Sequence, residues 1–113
     1  MVCLRVAVAS SNGKDVDLHF GKAKTLFVYD LIDENTIKFI EKRNVDISDE
    51  VKHQSTKVID AVSDCETVIV VKYGPTTKLK AKKANLKIIE DEGPIKEVLE
   101  RYIDHVKFMK GHL

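Results

Sequence analysis

Residues 6–29 read VAVASSNGKDVDLHFGKAKTLFVY, and this stretch decides the fold. It opens on small and β-branched apolar residues, the composition of a strand buried on at least one face. A polar, glycine-containing loop follows and ends in His19-Phe20-Gly21. A second apolar run, Thr25 to Ile32, begins at once. His19 is therefore expected in a loop held between two core strands. Loops on rigid scaffolds are where proteins tend to place function.

Outward from this segment, the first strand is expected over residues 2–9, with Cys3 early in it as a core residue. Ser10 to Gly13 forms a turn, because Asn-Gly is a strong turn dipeptide. The second strand spans 25–32. Asp33-Glu34-Asn35 is a short polar turn, and 36–43 alternates as a third strand. A connection this short makes the second and third strands an antiparallel hairpin. Ser48 suits a helix N-cap, with acids in the first turn after it. Val51, Val58, Ile59 and Val62 share one helical face, which predicts a helix over 49–63.

Thr67 to Val71 is all apolar after its first residue, as in a central buried strand, and Tyr73-Gly74-Pro75 breaks it. A short helix over 76–84 is expected next, closed by Asn85, a residue tolerated in the left-handed C-cap. Leu86 to Ile89 is the last strand. Pro94 fits the first position of a final helix. Ile95, Val98, Leu99, Tyr102, Ile103 and Val106 give the clearest amphipathic spacing in the chain. Residues 107–113 read as a short, fraying tail. The predicted order is β-β-β-α-β-α-β-α: an α/β fold with a mixed five-stranded sheet and flanking helices.

The 113 residues suit one domain, 1–113. A chain of this size buries roughly two-thirds of its unfolded surface and needs no disulfide staples. Nineteen basic and 18 acidic residues leave a net charge of +1. No global field drives the chain toward nucleic acid or a membrane. The start, MVCLRVAVAS, reads as a strand without a cleavage site, so no signal peptide is expected. No apolar run approaches the roughly 20 residues of a membrane span. Cys3 and Cys65 form no framework, which points to reduced thiols and a cytoplasmic setting.

The candidate sites are two loops and their surroundings. A neutral His19 imidazole is a good iron ligand. Phe20 would anchor the loop, and Gly21 would allow a tight turn or close ligand approach. The plainer alternative is a surface histidine beside a core phenylalanine. Tyr73-Gly74-Pro75-Thr76-Thr77 lies between a strand and a helix start, where free amides attract anions. Lys72 and Lys78 flank it. Here the alternative is an ordinary turn shaped by Gly and Pro.

His53 either approaches His19 from its helix or is solvated. Cys65 is either a soft thiolate ligand or a buried structural thiol. The lysines at 78, 80, 82, 83 and 87 form either a solvated face or a docking surface for an acidic partner. Asp15 and Asp17 fall in a loop, while the first strand carries no acid. A two-metal nuclease is therefore not expected. With 6% aromatics and no recognition motif, neither is nucleic-acid binding. His105 and His112 read as surface residues.

The His19-Phe20-Gly21 motif, preceded by a strand and a glycine-containing loop, resembles the dinitrogenase iron-molybdenum cofactor biosynthesis family (NifX, NafY and the C-terminal domain of NifB). The Gly74-Pro75 turn resembles that family's turn at this position but is less glycine-rich. The resemblance runs from the first strand to the last helix. It implies a ribonuclease H-like, three-layer fold and a non-enzymatic role in nitrogen-fixation cofactor assembly. That role is to bind, store or pass on an iron-molybdenum or iron-sulfur cofactor precursor among assembly proteins. By the same resemblance His19 contacts the cluster, with Phe20, Gly21, Gly74, Pro75 and Thr76 around it. His53 and Cys65 match positions where some members carry His or Cys, as further metal ligands. Because the family extends beyond nitrogen fixers, a diverged metal- or protein-binding module is the alternative.

Overall fold

The strands of this computed structural model follow the apolar runs closely. It describes residues 4–33, 36–47 and 55–110. The main sheet has the order β4-β3-β1-β5-β6, where β1 is Leu4–Ala9, β3 Thr25–Asp33, β4 Thr36–Asn44, β5 Thr67–Val70 and β6 Lys87–Glu90. The hairpin of β3 and β4 is antiparallel, and β3 is also antiparallel to β1. β1, β5 and β6 run parallel. All four residues of β5 are buried, as expected for a strand with neighbours on both sides and helices on both faces.

Alternation along the strands splits the core in two. Ala7, Ala9, Leu26 and Val28 join one cluster with Val58, Val62 and Ala81. These come from or adjoin helices α1 (Ser55–Ala61) and α2 (Pro75–Lys83). Val6, Val8 and Ile69 join the other, with Ile95, Val98, Leu99, Tyr102 and Ile103 of α3 (Ile95–Lys110). Opposite faces of a strand point to opposite layers. The Thr67 and Tyr102 hydroxyls share a hydrogen bond of 2.8 Å inside the second cluster. Among the described residues no buried side-chain polar atom lacks a partner. Nor is any helix long and apolar enough to cross a membrane.

The expected elements appear in the expected order, with three differences. A two-stranded sheet joins β2 (Asp15–Val16) to β7 (Gly93–Pro94). Pro94 thus ends a strand instead of opening α3. Its missing N–H costs nothing at such an edge, and the Ile95 amide donates to the Lys14 carbonyl at 2.8 Å. The last helix also continues through Lys110, where the sequence suggested a tail from 107. Of the helix predicted over 49–63, the described part is Ser55–Ala61. Cys3, Ser48, Val51, His53 and His112 lie outside the described residues.

Candidate functional site

The loop after β1 is built by short polar side chains. Ser10 Oγ accepts from the Gly13 amide at 2.9 Å. Asn12 Oδ1 accepts from the amides of Lys14 (2.8 Å) and Asp15 (3.0 Å). Asp17 accepts from the amide of Ser11 at 2.8 Å and from its hydroxyl. Asp17 is therefore a turn-forming residue, and Asp15 pairs with Pro94 in β2. Gly13 has φ 76°, and a Cβ there would meet the Phe27 ring at 2.9 Å. Only glycine suits this position.

Beyond β2 the chain runs alongside the end of β5. The Val71 amide donates to the Leu18 carbonyl at 3.0 Å, and the Phe20 amide to the Lys72 carbonyl at 2.9 Å. These two bonds bracket His19. Its backbone is extended (φ −75°, ψ 158°) and its side chain is exposed. Phe20 is fully buried in the cluster beneath α1 and α2, against which Tyr73 also packs. Buried phenylalanine thus fixes the loop while its neighbour faces solvent. Phe20 to Lys22 make one 3₁₀ turn, closed by the Lys22 amide on the His19 carbonyl at 3.0 Å. Gly21 is not among the described glycines with positive φ, so the turn does not require it. Its virtual Cβ meets nothing within 4 Å, which leaves open space beside His19.

The same two bonds carry the chain straight into the second predicted loop. Gly74 is the N-cap of α2 (φ −94°, ψ 170°), without a side-chain cap bond, and Pro75 follows. The Lys78 amide reaches back to the Gly74 carbonyl at 3.1 Å. The amides of Thr76 and Thr77 lie in the first turn, where no earlier helical carbonyl can accept from them. No acid occupies that turn. A Cβ on Gly74 would also meet open space. Lys22, Lys72 and Lys78 are exposed. The arrangement offers one exposed imidazole, two first-turn amides without helical acceptors and several exposed cations, with open space at Gly21 and Gly74, a donor set that suits an anionic ligand.

Cys65 lies at the other end of β5. From Cys65 to Lys72 the extended chain covers about 20 Å, so the fold does not bring the thiol to His19. Cys65 is 7% exposed, among Ile59, Val62 and Leu86. Burial, with Asp64 adjacent, pushes its thiol up to about 12. Asp64 beside it is gripped by Arg43 at 2.6 and 2.7 Å and by Arg5 at 3.1 Å. Those bonds hold its carboxyl well below the usual range. Lys78, Lys82, Lys83 and Lys87 are exposed, as is His105 on α3. Among the described residues, no three His, Cys, Asp or Glu side chains converge as a metal site. Sequence reading missed the Leu18 and Lys72 carbonyls that join the two loops. Backbone pairing of this kind leaves no side-chain signal.

A mixed sheet carrying an exposed histidine loop beside an uncapped helix start defines an α/β protein whose two joined loops form the candidate site. A family profile described as dinitrogenase iron-molybdenum cofactor matches residues 2–105, and the chain belongs to that family. Three solved structures share the fold. A protein called PH0822 is 18% identical, with 90% of each chain covered and a TM-score of 0.73. A candidate dinitrogenase from Methanocaldococcus jannaschii is 17% identical, over 93% of this chain and 92% of that one, with a TM-score of 0.63. A candidate NifB protein from Thermotoga, assigned to the DUF35 family and solved by NMR, is 19% identical. It aligns over 89% of this chain and 88% of that one, with a TM-score of 0.63. No curated protein matches the sequence.

Proposed function

We propose that this chain is a cytoplasmic, single-domain carrier that binds an iron-sulfur or iron-molybdenum cofactor precursor and passes it between assembly proteins without chemical turnover. The observation that carries the reading is the pair of backbone bonds from Val71 to Leu18 and from Phe20 to Lys72. They set the His19 loop against the Gly74 turn, so that one cargo can touch both. His19 ligates a cluster iron, while the Thr76 and Thr77 amides and nearby lysines hold its anionic groups. Phe20 anchors the loop, and Gly21, Gly74 and Pro75 leave the approach open. One histidine with hydrogen bonds suits handover, since each further metal bond slows release. Cys65 has no part in this scheme, being buried at the far end of β5. A ribonuclease H-like classification goes with this reading. Its support is the sheet order, third-second-first-fourth-fifth among the main strands, with only the second antiparallel to the rest.

Anaerobic titration with an iron-sulfur cofactor precursor, followed by absorbance and EPR, tests the proposal. Wild type should bind stoichiometrically. His19→Ala should bind about tenfold or more weakly, about 1.4 kcal/mol, with unchanged thermal melting. Equal affinity in both proteins removes His19 as the ligand. No binding in either removes the carrier role and favours a diverged module of the same family.

A further inference from the structure

The two faces of the main sheet are covered unequally. Two helices pack on one face and α3 alone on the other. α3 lies over Val6, Val8 and Ile69, the β1–β5 part of its face. Beside it, over β3 and β4, a groove of about 840 Å³ opens, floored by Tyr29 and Ile37 of the sheet and walled by Leu99 and Ile103 of α3. Phe39 stands on the same half-face, 51% exposed, its ring edge-on to Tyr29 at 5.4 Å and 6.2 Å from Phe27. A large aromatic left half in water, packed on a residue that lines a groove with an apolar floor and a charged rim, marks an interaction surface.

We propose that the occupant is the same surface of a second copy, related by a two-fold axis, with α3 antiparallel to α3 of the copy. The charge pattern carries the choice. An isologous interface must be complementary to itself. Lys96, Glu100 and Asp104 line the groove at spacings of four, so they form one row along α3. The row is basic at one end and acidic at the other. Antiparallel packing sets Lys96 against Asp104 of the copy, twice by symmetry. Lys96 also sits in the first turn of its helix, where the dipole disfavours a cation. An acidic partner relieves that cost. Glu100 falls near the axis, facing its own equivalent, and weakens the pairing. α3, with 16 residues, is about 24 Å long. With the open half-face it buries on the order of 1,000 Å² in total, the low end for a specific interface. The dimer is therefore reversible, in the micromolar range. Phe20 anchors the His19 loop in the opposite layer, so dimerisation leaves the site facing solvent.

Sedimentation equilibrium of the full chain from about 1 to about 500 µM tests this. Wild type should show a concentration-dependent dimer. Phe39→Asp should be monomeric with unchanged circular dichroism. Lys96→Asp and Asp104→Lys should each weaken dimerisation at least tenfold, and the double substitution should restore it. Glu100→Gln should tighten it several-fold, an outcome that a role confined to α3 itself would not produce. A wild-type monomer throughout the range overturns the proposal. So does a dimer indifferent to Phe39→Asp, or a double substitution that stays as weak as the singles.

Discussion

The two ends of β5 handle charge in opposite ways. At its start Asp64 accepts from Arg43 and Arg5, Arg5 also grips Asp30 at 2.8 and 3.1 Å, and Arg43 reaches Glu41 at 2.8 Å. The charges there are spent on one another, and the nearby thiol is buried. At its end His19 is exposed, α2 begins without a side-chain cap, and the glycines at 21 and 74 border open space. Polar groups that satisfy each other stabilise a fold. Polar groups held rigidly and left facing outward can bind something else. One strand thus carries a structural end and, in the proposed reading, a binding end.

Phe20 is where the binding end depends most on the core, so Phe20→Ala should have the largest effect. A fully buried phenylalanine truncated to alanine costs about 3–5 kcal/mol, measurable by denaturant unfolding. Its loss should also weaken cluster binding, because the His19 loop loses its anchor. A loss under about 1 kcal/mol would mean that the loop is held by its two backbone bonds alone. The two ends would then differ less than their packing implies.

At the structural end, Asp64→Asn should cost about 1 kcal/mol. The small figure reflects its 43% side-chain exposure and the solvent screening that goes with it. Arg43 also keeps Glu41 and the Ala61 carbonyl as partners. The folded protein holds the Asp64 carboxyl below its unfolded range, chiefly through Arg43. Its stabilising contribution is therefore present above about pH 4 and is lost as pH falls below that. Wild-type melting should drop on acidification, and Asp64→Asn should drop less steeply. Parallel acid limbs would show that Asp64 contributes little. Cluster affinity should be unchanged, since the mutation lies at the wrong end of β5.

This contrast was only partly legible in the sequence. The apolar runs located all five main strands, and the spacing from Ile95 to Val106 located α3, because burial imposes a period on the side chains. Asn85 at φ 58° follows from local chemistry alone. The β2–β7 pairing has no such period: Asp15 and Pro94 meet only once the chain has folded. The same holds for the site. His19-Phe20-Gly21 and Gly74-Pro75 each read as loops, but their junction is made of main-chain groups common to every residue. Cys65 read equally as ligand or core, and only its position at the start of β5 separates the two.

The smallest expected change in stability is also the sharpest test of the binding end. Gly74 has an extended backbone that any residue adopts, and a Cβ there meets nothing. Serine is a slightly better N-cap than glycine, so Gly74→Ser should leave stability unchanged or raise it by a few tenths of a kcal/mol. The new hydroxyl accepts from the Thr76 or Thr77 amide, the groups assigned to the cargo. Affinity for an iron-sulfur cofactor precursor should then fall while the melting temperature holds or rises. Stability and binding moving in opposite directions cannot arise from general damage to the fold. If affinity is unchanged, the amides of α2 do not hold the cargo, and the binding end contracts to His19 and its loop.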